Sequence, residues 1–148
     1  MLKEELAYLA GLIDGEGCFD VKHMRVLNKK KQKLYNSLVP RLRISMTCLK
    51  TLQYVNTIFP ANLINKTVKN TPNRKPQYEW CLEGEKLLTV LLLLKPYLVT
   101  KQEEAEVLLL FPLHPPCGRN GLPSHIVDKR IEIKNQLQKY KSKGRRKK

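Results

Sequence analysis

The side chains able to do chemistry in this sequence are carboxylates and lysines rather than thiols or imidazoles. The four cysteines, Cys18, Cys48, Cys81 and Cys117, form no CxxC pair, and His23, His114 and His125 are scattered. Zinc centres and Cys-His nucleophiles need those residues at short, recurring spacings. The thiols therefore read as reduced, intracellular and mostly buried. Asp14 and Glu16 differ, because they close a run of strong helix formers that begins at Lys3. The negative pole of a helix disfavours carboxylates by a few tenths of a kcal/mol up to about 1 kcal/mol, a penalty that a nearby cation removes.

Charge placement narrows the possible partners. The net charge is +15, yet residues 1–20 carry five acids against one Lys, and residues 79–128 carry seven acids against four basic side chains. From Val21 to Tyr78 there is no Asp or Glu against thirteen Lys or Arg, and from Lys129 to Lys148 ten basic residues face only Glu132. Solvated surfaces ordinarily mix the two signs. A long acid-free stretch inside a folding domain points to a polyanionic partner, nucleic acid first, because phosphate neutralisation and counterion release reward a one-signed surface. The longest apolar run, Leu87 to Leu94, is far short of the roughly 18 residues of a membrane span, so no membrane partner is expected. Glu4 and Glu5 stand where a secretion signal would be basic, which argues against export.

Period and punctuation then place the elements that must carry these groups. Lys3 to Gly15 reads as a helix with Ala7, Gly11 and Gly15 on one face and Leu6, Leu9 and Ile13 beside it, a smooth stripe suited to close helix-helix contact. After Gly17 the pattern turns to period two, with Phe19 and Val21 opposed to Asp20, Lys22 and Met24. A lysine-rich loop at Asn28 to Lys33 leads to a return strand, Tyr35 to Met46, in which Pro40 requires an open edge or a bulge. Thr47 to Phe59 reads as a short helix, and Asn62 to Asn70 with Gln77 to Leu82 as a second hairpin. Two helices around Pro96, Glu85 to Leu94 and Thr100 to Phe111, precede a Pro-rich linker and a last helix from Ser124, the expected N-cap, to about residue 138. One domain, 1–138, is expected, with 139–148 as a disordered basic tail.

Leu9-Ala10-Gly11-Leu12-Ile13-Asp14-Gly15-Glu16-Gly17 closely resembles the signature of the LAGLIDADG homing endonucleases, and the order of elements over about residues 3–111 is similar to that family's core. The resemblance implies an α+β protein of αββαββα order, a saddle-shaped antiparallel sheet backed by helices, with the last helix as an extra element. It implies that Ala7, Gly11 and Gly15 form the dimer interface and that Glu16, with the Gly15 carbonyl, binds Mg²⁺, Mn²⁺ serving as a substitute. Such hard oxygen donors suit Mg²⁺. The stretch Lys95 to Gln102 resembles the segment that delivers a catalytic lysine, here Lys101, and Lys50 matches a second basic position. A polar residue that holds water in the family falls at Met46, a poor partner for water, leaving Ser45, Thr47 or a register shift to account for it.

The expected activity is metal-dependent cleavage of both strands at a long, near-palindromic DNA site by an intron-encoded homodimer. On period-two grounds the DNA face carries Lys22, Met24, Ser37, Arg41, Arg43 and Ser45, then Asn65, Thr67, Lys69, Gln77 and Glu79, with Tyr78, Trp80 and Leu82 in the core. Arg41 and Arg43 suit guanine, Gln77 adenine and Glu79 the cytosine amino group. The alternatives are an RNA-binding intron maturase and a non-catalytic DNA-binding regulator; the presence of Glu16 and Lys101 favours the nuclease. The setting expected is a mitochondrion or chloroplast, with an archaeal cell as the alternative.

Overall fold

The computed structural model describes residues 2–30, 32–66, 73–115 and 121–145. Helix α1 (Lys3–Glu16) runs into strand β1 (Gly17–Asn28), which forms a hairpin with β2 (Lys33–Met46). Helix α2 (Leu49–Ile58) leads to β3 (Asn62–Asn65) and β4 (Tyr78–Glu83); α3 (Gly84–Leu94), a 3-10 turn (Lys95–Tyr97), α4 (Gln102–Leu109) and α5 (Ser124–Arg145) follow. The strands form one antiparallel sheet in the order β1-β2-β4-β3. This contains the α+β, αββαββα order expected from the sequence, followed by the helices α4 and α5.

Period two decides which face of the sheet is covered. Phe19, Val21, Leu38, Leu42, Ile44, Trp80 and Leu82 are buried and form one core with Leu9, Ala10 and Ile13 of α1, Leu52 and Val55 of α2, and the apolar face of α3. Trp80 is fully buried, and its indole N–H donates to the Phe59 carbonyl at 3.2 Å, so burial strands no donor. The opposite face carries Asp20 and Lys22 of β1 with Arg41 and Arg43 of β2. All four strands run side by side only at Arg43 and Ile44; beyond Arg41, where β4 ends, the β1-β2 hairpin continues as a two-stranded ribbon to its tip at Asn28 and Lys33. Pro40 lies one residue past the last β2-β4 pair, Arg41 with Glu83, where β2 has only β1 as a neighbour and a missing N–H is tolerated.

Three sequence expectations change. Helix α5 extends to Arg145, well into the segment expected to be a disordered tail, because Ile133 and Leu137 anchor it in the core against β1 and α4. Its first carbonyl acceptor is Pro123, one residue before the expected cap at Ser124. Cysteine burial is uneven: Cys81 is buried, Cys18 half-buried and Cys48 exposed, while Cys117 lies outside the described residues. Among the described residues no helix is long and apolar enough to cross a membrane.

Candidate active site and nucleic-acid interface

Chemistry converges on the C-terminal end of α1. Gly17 turns the helix into β1 in extended conformation, and a Cβ there would lie 2.6 Å from the Ile13 carbonyl oxygen and 2.9 Å from the Ile13 Cα. Only glycine fits that elbow, because the obstacle is backbone. The elbow presents the Glu16 carboxylate to solvent, with no hydrogen-bond or ion-pair partner among the described residues.

Asp14, two residues earlier, turns the other way and ties this helix end to the loop before α4. Its carboxylate accepts the backbone N–H of Val99 at 2.8 Å and of Lys101 at 2.9 Å, while the Lys101 ammonium donates to the Asp14 carbonyl at 2.7 Å. Burial pushes the Asp14 carboxyl up, but the N–H groups of Val99, Lys101 and Thr100 and the Lys101 charge outweigh it, and the group sits below the usual carboxylate range. Lys101 is the cation that the negative end of α1 calls for. Its ammonium is bonded to the carbonyl one residue before Gly15 and two before Glu16, which brings Lys101 to the same end of α1 as those two residues. Lys50 does not join them. It borders a surface hollow of about 550 Å³ with Leu2, Glu4, Glu5, Tyr8, Thr51 and Tyr54, over the first turns of α1. From Glu5 to Glu16 the helix advances about 16 Å, so in this protomer Lys50 stands at the wrong end to serve Glu16. Its position at the start of α2 fixes that separation, which sequence matching alone could not measure.

The Glu16 carboxylate and the Gly15 carbonyl are hard oxygen donors at a helix end that favours positive charge, and in kind they fit a divalent cation. Among the described residues no cluster of three or more His, Cys, Asp or Glu side chains gathers in one protomer. Met46 pairs with Tyr78 and packs against the core, so its thioether serves the interior. Ser45 is on the open face and donates to Glu79, while Thr47, the other hydroxyl considered, is exposed.

The small stripe of α1 lies nearly opposite its buried face. Ala7, Gly11 and Gly15 are exposed, and a Cβ added at Gly11 or Gly15 meets nothing within 4 Å. Packing within the protomer therefore does not require either glycine.

The open face of the sheet is an ion-pair lattice. Asp20 accepts Arg41 Nε at 2.8 Å and Nη2 at 2.9 Å, and Arg43 Nη2 at 2.8 Å. Lys22 pairs with Glu83 at 3.5 Å, and Lys66 with Glu79 at 2.7 Å, where Ser45 also donates at 3.1 Å. Burial pushes the Asp20 carboxyl up, yet the hydrogen bond and charge of Arg41, with the charges of Arg43 and Lys141, draw it below the usual range. Burial and the neighbouring Glu83 push the Cys81 thiol up to about 11.

This lattice corrects several expected DNA contacts. Glu79 is buried at 5% exposure beneath Lys66, Ser45 and Arg43, and is not free to receive a cytosine amino group. Asn65 pairs with Tyr78 and so belongs to the helix-side face; Asn62 and Ile64, opposite Cys81 and Glu79, share the open face. Leu63 and Ile64 are both apolar, so alternation alone could not set this register, which follows from Leu63 packing beside Trp80. Thr67 and Lys69 lie outside the described residues. Gln77 is exposed just before β4, and its carbonyl accepts the Lys66 N–H at 2.7 Å. Met24 and Ser37 face each other on the ribbon, as expected. Asp20 is the residue missed: its parity with Lys22 was legible, but a lone acid gave no sign that it joins two arginines of the next strand.

The sequence model of the LAGLIDADG endonuclease family matches residues 9–106. Comparison with curated proteins gives no match. Among solved structures, the homing endonuclease I-CvuI, in complex with the I-CreI target in the presence of Mg and with the DNA not cleaved, superposes with a TM-score of 0.68 at 18% identity, covering 92% of this chain and 81% of that one. An archaeal intron-encoded homing endonuclease complexed with DNA gives 0.61 at 18% identity, covering 92% and 83%. I-SmaMI bound to uncleaved DNA in the presence of calcium ions gives 0.59 at 19% identity, covering 94% of this chain but 46% of that longer one.

Proposed function

Because the chain belongs to the LAGLIDADG endonuclease family, matched over residues 9–106, we propose that it is a site-specific, intron-encoded DNA endonuclease that acts as a homodimer on a near-palindromic site. The observation that carries this reading is the end of α1, where the exposed Glu16 carboxylate lies two residues past the Asp14 carbonyl that receives the Lys101 ammonium. Glu16 and the Gly15 carbonyl would hold Mg²⁺, and Mn²⁺ would substitute. When bound, such a cation polarises the scissile phosphate and lowers the pKa of an attacking water. Lys101, fixed by the Asp14 carbonyl, places a positive charge beside the phosphoryl oxygens as negative charge builds on them.

Two strands need two such sites, and one protomer carries one signature. A two-fold dimer supplies both, matching the local symmetry of antiparallel DNA strands. The exposed Ala7, Gly11 and Gly15 stripe supports a close α1-α1 contact, and the coverage of about half of I-SmaMI is consistent with a unit that works as one of two. The β1-β2 ribbon, 12 and 14 residues long, advances about 40 Å at roughly 3.3 Å per residue, enough to follow one half-site.

The test is cleavage of DNA that carries the protein's own insertion locus, in Mg²⁺ and in EDTA. The expected result is a double-strand break at one place in Mg²⁺ only, abolished by Glu16→Gln while binding in Ca²⁺ persists. Wild-type cutting by Glu16→Gln would refute the assignment.

A further inference from the structure

We infer that Asp20 is a specificity-determining positioning residue, which fixes the guanidinium planes of Arg41 and Arg43 so that the open sheet face meets bases in one orientation. This inference rests on the DNA-binding reading above and deepens it. Both carboxylate oxygens are engaged: Oδ1 accepts Arg41 Nε at 2.8 Å, and Oδ2 accepts Arg41 Nη2 at 2.9 Å and Arg43 Nη2 at 2.8 Å. The Lys141 ammonium of α5 stands 4.0 Å from Oδ2. Asp20 is opposite Arg41 in the β1-β2 register and Arg41 opposite Glu83, so these three stand on one rung across three strands, with Arg43 reaching Asp20 from the next same-face position of β2.

Arg43 is spent within the cluster, Nη2 on Asp20 and Nη1 3.9 Å from Glu79, whereas Arg41 keeps one edge of its guanidinium turned away from the carboxylate. A guanidinium has five N–H donors in a rigid fork. Arg41 gives its Nε–H and one Nη2–H to Asp20, and the fork edge built from Nη1 and the second Nη2–H points away from that carboxylate. A planar edge with two donors matches guanine O6 and N7. Fixing that plane before DNA arrives removes the rotamer freedom that a long side chain would otherwise lose on binding. The carboxylate also withholds positive charge from phosphates, so Asp20 weakens indiscriminate binding while sharpening base choice. Asp20 thus trades affinity for selectivity.

The experiment compares wild type, Asp20→Asn, Arg41→Lys and the double variant. Binding is measured in Ca²⁺ at several salt concentrations, to the cognate site, to sites with each base varied in turn, and to random DNA. Asparagine keeps the size but offers one acceptor oxygen and sets an amide N–H₂ against the guanidinium. For Asp20→Asn the expected result is tighter binding to random DNA, a steeper salt dependence, and a loss of preference of about five- to tenfold or more at one or two positions in each half-site. Arg41→Lys loses the same preference, and the double variant loses no more than either single change, because the two residues act as one unit. Unchanged base preference in a folded, DNA-binding Asp20→Asn protein overturns the inference while leaving the nuclease reading standing. Absence of any salt-dependent DNA binding by wild type overturns both. Should Asp20→Asn fail to fold, the Arg41 Nε–H resonance of the wild-type protein decides: protection from solvent exchange is expected, and free exchange overturns the clamp.

Discussion

Gly11 separates a protomer-level role for the small stripe from an interface role, because the two predict opposite signs. Within the protomer Gly11 is exposed in the interior of α1, and an added Cβ meets nothing within 4 Å. Replacing glycine in a helix interior by alanine or leucine then recovers helix propensity, about 0.7 to 1 kcal/mol. For a chain of this size that gain raises Tm by roughly 2–5 °C. If two copies of α1 cross at the stripe, a leucine at position 11 is placed twice in one close contact. Overpacking costs about 1–3 kcal/mol per side chain, so the dimer is weakened by about 2–6 kcal/mol, or roughly thirtyfold to twenty-thousandfold in Kd. The assay is light scattering across a dilution series, with thermal melts and cleavage on the same samples. The expected Gly11→Leu protein is folded, monomeric at concentrations where wild type is dimeric, and inactive. A Gly11→Leu protein with raised Tm, unchanged mass and full cleavage would refute the interface.

Three further outcomes follow from the same geometry. Lys101→Met should lower the cleavage rate by more than it lowers DNA affinity, with a modest loss of stability from the freed Asp14 carbonyl; equal losses of rate and affinity in single-turnover kinetics would reduce Lys101 to a phosphate contact. Gly17→Ala should destabilise the protein by about 1–3 kcal/mol in denaturant melts, since its Cβ would lie 2.6 Å from a backbone oxygen, and an unchanged midpoint would contradict the tight elbow. The Asp14 carboxyl titrates below its ordinary value of 3.8 in the folded protein, so its contribution to stability is present above that value and is lost as pH falls below it. Asp14→Asn should therefore lower Tm at neutral pH, with the gap to wild type closing in acid; a pH-independent gap would assign the loss to something other than the charged form.

Much of the scaffold was legible because it depends on local periodicity. The helix ending at Glu16, the first hairpin with its buried Phe19, Leu42 and Ile44, and the order of later elements follow from spacing alone. That Lys101 belongs with the end of α1 was reached through family resemblance, because no local pattern links residues so far apart in the chain. The second hairpin was less legible: adjacent apolar residues at Leu63 and Ile64 leave two registers open, and the choice shifts Asn65 to the helix side. Lys50 was misplaced for a related reason, since a match in sequence carries no distance.

Sequence by itself determined the sign and position of charge, and with it the class of partner, since an acid-free run is a property of composition that no packing can hide. Tertiary structure alone decided what each charge does. The basic stretch is not met by an acid-free surface, because Asp20, Glu79 and Glu83 arrive from outside it and pair with Arg41, Arg43, Lys66 and Lys22 across neighbouring strands. An ion pair depends on side chains approaching within a few ångströms in space, and in an antiparallel sheet that approach is set by register between distant segments, which the order of residues does not contain.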